Sequence, residues 1–189
     1  ISDRVGRRAT LLGGLALFLA GSLACALATS VEMLIAARFV QAIGGAGPVV
    51  LSRAVVRDLY EGDRAGTELA RMGSIMGLVP MVGPVIGSVL EITLGWRASF
   101  GLIVLVGTVS FTAVALLLPE TMRVQSRLPL SPLGIARAFR PLIAVGGYRA
   151  NVAIVCLTYA GLFCFISGSS FVLQEMYGFS PLAYGIAFG

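Results

Sequence analysis

Four stretches of this chain, residues 9–31, 72–90, 98–119 and 150–174, contain no charged residue at all. Each is long enough to cross a hydrocarbon layer roughly 30 Å thick as a helix, and a helix satisfies its own backbone donors and acceptors where no water can do so. A fifth span, residues 33–52, is interrupted once, by Arg38. With 57% hydrophobic and 12% charged residues, the composition is that of a membrane protein. The sequence predicts an all-α, polytopic transmembrane bundle. After the turn "YGFSP" a further helix opens in "LAYGIAFG", with Ser180 as N-cap and Pro181 at the first helical position. Because the chain starts in a loop and stops within a helix, the expectation is a piece of a longer membrane protein.

The fourteen basic residues are all arginine, and their distribution sets an expected orientation. Arg4, Arg7 and Arg8 precede the first span. Arg53, Arg57, Arg64 and Arg71 lie between the second and third, and Arg123, Arg127, Arg137, Arg140 and Arg149 between the fourth and fifth. The other connections hold only Arg97. Arginine collects on the cytoplasmic side of membrane spans, so the start of the chain is expected in the cytoplasm. The net charge of +5 then reports topology. A nucleic-acid partner is not expected, because the arginines are divided among three loops without interleaved aromatics.

Other chemistry is excluded by what is missing. The chain has no histidine, and Cys25, Cys156 and Cys164 lie in apolar runs without C-x-x-C spacing, so neither a metal nor another cofactor is expected. The cysteines read as small apolar residues facing lipid or neighbouring helices. Phosphate-loop, G-x-S-x-G and H-E-x-x-H motifs are absent too, which argues against an enzyme.

Arg38 is the residue most in need of a reason. A guanidinium in an apolar span costs on the order of 2.5 kcal/mol or more, so it requires a partner or an aqueous cavity. Alternatively, lying only ~9 Å inside the outer end of its helix, it snorkels to the interface. Gln41, three residues on, shares its helix face and is a candidate partner. Glu32 stands three residues after Thr29, the spacing of a capping box. Glu91 and Glu175 fall near the outer ends of the third and fifth spans, where a surface role is expected. In the third span, Gly73 with Gly77 and Gly83 with Gly87 form two small-xxx-small pairs, and Pro80 and Pro84 each remove a backbone donor. Gly83 is expected at a close helix crossing and Gly107, in the next span, facing lipid. Between the fourth and fifth spans, Ser131 and Pro132 start a candidate interfacial helix carrying Leu133, Ala136 and Phe139 or Arg140; a solvated linker is the alternative.

Three stretches resemble signatures of the major facilitator superfamily. "SDRVGRRATLL" is similar to that family's loop between helices two and three, with Asp3, Arg4, Gly6, Arg7, Arg8 and Leu11 in place. "LIAARFVQAIGGAG" is similar to its helix-four pattern through Leu34, Arg38, Gln41 and Gly44, with Ala42 where a glycine is usual. "GSIMGLVPMVGPVIGS" resembles the helix-five signature of proton-coupled antiporters, whose core G-P-x-x-G is met by Gly83, Pro84 and Gly87, while Val79 and Ser88 replace its outer glycines. "LSRAVVRDLY", "LGWRASF" and "ISGSSFVLQEMYGFSPLAYG" look like the Bcr/CflA group of bacterial multidrug exporters.

The resemblance covers essentially the whole chain. It implies family helices three to seven and the start of eight, with residues 1–119 in the N-terminal half, 120–149 as a cytoplasmic linker and 150–189 opening the C-terminal half. It further implies a monomeric, multi-pass protein of the bacterial inner membrane that exports drug-like molecules, such as bicyclomycin and chloramphenicol, in exchange for protons. Arg38 and Gln41 would serve transport, the Asp3–Arg8 loop would latch the halves at the cytoplasmic side, and Pro80, Gly83, Pro84 and Gly87 would form the antiporter helix. In this family the proton-carrying acid is sought in helix one, which is not in this sequence. A proton-coupled carrier of a metabolite, in either direction, is the alternative, followed by a membrane scaffold or enzyme.

Overall fold

The computed structural model describes residues 2–121, 139 and 141–189, and all regular structure among them is helical. A single turn, α1 (Ser2–Val5), leads into α2 (Arg7–Ala26), α3 (Val31–Leu59), α4 (Gly62–Leu94) and α5 (Arg97–Leu117). Then come α6 (Gly146–Phe171), continued by a π-helical turn at Val172–Met176, and α7 (Pro181–Phe188). Five of these helical stretches are long and apolar enough to span a membrane, as the charge-free runs require, and the chain is that of a multi-pass membrane protein.

Two helices exceed the apolar runs that predict them. At 1.5 Å per residue, the 29 residues of α3 and the 33 of α4 measure about 43 and 50 Å, against roughly 30 Å of hydrocarbon. Arg53, Arg57, Arg64 and Arg71, expected in a connecting loop, instead ride on helical extensions joined by a short turn at Tyr60–Glu61. Local pairs support this: Arg71 donates to Glu68 at 2.8 Å, and the Arg64 guanidinium lies 5.1 Å from the Tyr60 ring centre.

The start of α3 also departs from expectation. Its N-cap is Ser30, whose hydroxyl accepts from the Met33 N–H at 3.1 Å; Thr29 and Glu32 do not form the capping box. α2 ends at Ala26, and Arg97 reaches over from α5 to donate to the Ala28 carbonyl at 2.7 Å. Ser30, in extended conformation, is the last residue before the helix. Ser180 does cap α7 as predicted, accepting from the Ala183 N–H at 3.2 Å, with Pro181 at the first helical position.

Contacts divide the chain into two units, residues 1–126 with 185–189, and residues 127–184. Within the first, α2 is the central helix, packing most extensively against α3 and next against α5, whereas α4 touches its neighbours lightly. On the α3 side of the α2–α3 seam, Ala37, Gln41, Gly44 and Pro48 are spaced four, three and four apart; Gly14 of α2 lies against Gly44 and Pro48, and Gly21 and Ser22 lie against Gln41. A Cβ at Gly21 would lie 2.5 Å from the Gln41 nitrogen, and one at Gly44 would lie 2.7 Å from the Phe18 Cα. The backbones therefore approach as closely as glycine allows. At one end of this seam Leu11, Leu51 and Val55 are buried together with Val114 and Leu118 beside them.

In the second unit, α6 carries exposed Cys156 and Cys164. The π-helical turn sits within the "ISGSSFVLQEMYG" stretch, where the Gln174 amide donates to the Ser170 hydroxyl at 2.9 Å. Glu91 and Glu175 are exposed. The interfacial helix expected at 131–140 lies outside the described residues except for Phe139.

Candidate functional site

Arg38 and Gln41 do meet. Both stand on α3, and one Nη of Arg38 donates to the Gln41 Oε1 at 2.7 Å. Gln41 is 4% exposed, and its amide nitrogen donates to the hydroxyl of Ser22 on α2 at 2.7 Å. Ser22 is wholly buried and donates in turn to the Phe18 carbonyl at 2.7 Å. Arg38 itself remains exposed, with its guanidinium carbon 5.8 Å from the centre of the Phe100 ring on α5. The guanidinium is thus held at its base by a neutral amide while most of its donors stay available to another group. Sequence reasoning found the two α3 residues through helical spacing and missed Ser22. The signal for Ser22 was weak: one hydroxyl in a run of small residues, made special only by the partner helix.

At the other cluster, the loop before α2 is tied to the far ends of α3 and α5. Gly6, at φ 104°, occupies a backbone conformation that favours glycine, and a Cβ there would collide with the Glu120 carboxylate. That carboxylate accepts from the backbone N–H groups of Arg7, at 2.8 Å, and Arg8, at 3.3 Å. α2 has no side-chain cap from its own N-cap residue, so an acid 113 residues away supplies one and complements the positive end of the helix. The Arg7 side chain pairs with Asp58 at the end of α3 at 3.1 Å and donates to Ser2 at 2.7 Å. Arg8 donates to the Ala115 carbonyl at the end of α5. The expected loop residues Gly6, Arg7 and Arg8 therefore converge on one site; the side chains of Asp3 and Arg4 lie outside the described residues. Asp58 and Glu120 were not foreseen, since nothing local marks them as partners of a loop so distant in sequence.

The third predicted group is arranged otherwise than expected. α4 runs unbroken through Pro80 and Pro84, and a Cβ on Gly83 or Gly87 would have no neighbour within 4 Å. These glycines line an apolar cavity of about 520 Å³ whose other walls include Leu15 and Phe18 of α2 and Ile103 and Val106 of α5. Gly107, expected to face lipid, is the packed one: a Cβ there would lie 2.8 Å from a Leu19 methyl. Small residues show that something can come close, but periodicity alone does not say which face meets a helix. Among the described residues no group of three acidic, cysteine or histidine side chains is placed to hold a metal.

Comparison with known proteins agrees with the resemblance drawn from the motifs. The family model of the Major Facilitator Superfamily matches residues 1–189. The chain is 32% identical over 191 residues to the uncharacterized MFS-type transporter YdgK of Bacillus subtilis, covering 100% of this chain and 48% of that protein. It is 32% identical over 186 residues to a bicyclomycin resistance protein homolog of Haemophilus influenzae, covering 98% and 47%. Over 194 residues it is 32% identical to a chloramphenicol resistance protein of Pseudomonas aeruginosa, covering 100% and 44%. The chain spans about half the length of the curated relatives it matches. With a family match that runs from its first residue to its last, the chain belongs to the Major Facilitator Superfamily.

Proposed function

We propose that this chain forms the middle of a Bcr/CflA-type exporter in the bacterial inner membrane that moves drug-like molecules out in exchange for protons, with Arg38 and Gln41 in its coupling machinery. The observation that carries the reading is the Arg38–Gln41 pair, a cation set in an apolar span and held by a buried amide. Gln41 takes one of five guanidinium donors, so the others remain able to engage a carboxylate. An ionised carboxylate binds such a group tightly and a protonated one weakly, which is the chemistry that links proton loading to release. Relatives named for bicyclomycin and chloramphenicol resistance support the substrate class.

In this reading residues 1–119 belong to the N-terminal half, 120–149 to the linker and 150–189 to the C-terminal half. The Asp3–Arg8 loop, with Asp58 and Glu120, forms a cytoplasmic latch. Pro80, Gly83, Pro84 and Gly87 belong to the antiporter helix, and one copy of the full-length protein suffices for transport. Export of chloramphenicol and of a fluorescent cation by the full-length protein tests it: a proton uncoupler is expected to abolish both, and export that survives the uncoupler overturns antiport. For orientation, cysteines at Arg64 and Arg127 should react only from the cytoplasm and one at Gly178 only from outside; external labelling at 127 reverses the topology.

A further inference from the structure

We propose that Ser22, on α2, is a positioning residue for Arg38, acting through Gln41. The inference rests on the reading of Arg38 above only for its consequence in transport; the positioning itself follows from donor and acceptor accounting. Arginine has N–H donors and no acceptor, so the Gln41 group that faces Arg38 at 2.7 Å must be the carbonyl oxygen. That choice aims the Gln41 amide N–H at Ser22, whose oxygen must accept it. The Ser22 proton is then directed to the Phe18 carbonyl, 2.7 Å away. The chain of bonds has one polarity throughout, from Arg38 to Gln41 to Ser22 to the backbone of α2.

Remove the Ser22 hydroxyl and the order is lost. For as long as its carbonyl faces Arg38, the Gln41 amide N–H is then left buried without an acceptor, a cost that weakens the hold of Gln41 on the guanidinium. Water is a poor substitute, because Ser22 is fully buried and the neighbouring Gly21 already brings the backbones to the limit of contact. Ser22 thus links the seam between two helices to the orientation of a cation that stands outside it.

The test measures position and transport separately, in the full-length protein. The rate at which phenylglyoxal modifies Arg38, followed by mass spectrometry of its peptide, should rise about tenfold in Ser22→Ala, the effect of leaving one buried donor unpaired. Gln41→Ala should give the same rise, and adding Ser22→Ala to it should change nothing further, since both act through one bond. Ser22→Thr, which keeps the hydroxyl, should react more slowly than Ser22→Ala. An unchanged rate in Ser22→Ala, or a multiplicative rise in the double variant, overturns the positioning role. Transport is read on the same preparations: a faster modification rate in Ser22→Ala, together with unaltered export in Ser22→Ala and in a separate Arg38→Ala variant, supports the positioning of Arg38 and overturns only the coupling role assigned to it.

Discussion

Two sets of glycines in this chain look alike in sequence and are used in opposite ways. Gly21 and Gly44 are pressed against the backbone of the facing helix, whereas Gly83 and Gly87 border an apolar cavity, where an added Cβ would meet nothing within 4 Å. In the first set, close approach brings main chains together and places Ser22 within reach of Gln41; in the second, missing side chains enlarge a space. Spacing of small residues therefore identifies a face with room on it, and the partner helix decides whether that room is filled.

The largest expected effect follows from the packed set. Gly44→Leu would drive a side chain into the Phe18 backbone, and its cost should exceed about 3 kcal/mol, seen as loss of folded protein in detergent. A variant that melts at the parental temperature would break the contrast. Next in size is a loss of transport. Arg38→Ala should lower export about tenfold or more, and Arg38→Lys should restore it only in part, because an ammonium does not reproduce the planar fork that Gln41 and a carboxylate engage together. Parental export by a normally inserted Arg38→Ala would make Arg38 a snorkelling surface group.

Smaller effects are expected where the loop is tied down. Gly6→Ala should cost about 1–3 kcal/mol, since it combines a disfavoured φ with a clash against Glu120. Glu120→Gln should cost about 1 kcal/mol, keeping an acceptor but losing the charge at the helix end. Thermal unfolding of the two variants ranks them, and a reversed order would mean that the carboxylate matters more than the turn. The smallest effect belongs to the open set: Gly83→Ala should shift stability by less than about 0.5 kcal/mol, while Gly107→Ala, which presses on Leu19, shifts it more. Equal shifts in the full-length protein would mean that the cavity beside Gly83 is filled there.

Much of this was legible residue by residue. Charge-free runs announced the membrane helices, Ser180 and Pro181 announced α7, and D-R-x-G-R-R with R-x-x-Q announced the family. The misreadings share one cause. Thr29 with Glu32 has the spacing of a cap, yet Ser30 holds the position, in a connection whose Ala28 carbonyl accepts from Arg97 of α5. Gly107 seemed free to face lipid until Leu19 of α2 was placed against it. The extensions of α3 and α4 were missed because hydropathy marks the apolar part of a helix and is silent on how far a polar continuation stays wound.

Sequence by itself determined that this chain crosses a membrane repeatedly and which superfamily it joins, because helix length, hydropathy and compact motifs are local properties carried by neighbouring residues. Only the tertiary structure decided that Arg7 pairs with Asp58, that Glu120 caps α2 and that Ser22 closes the network of Arg38. Those partners lie 51, 113 and 19 residues from the groups they bind, on other helices or at their ends, and packing alone brings them within hydrogen-bond distance.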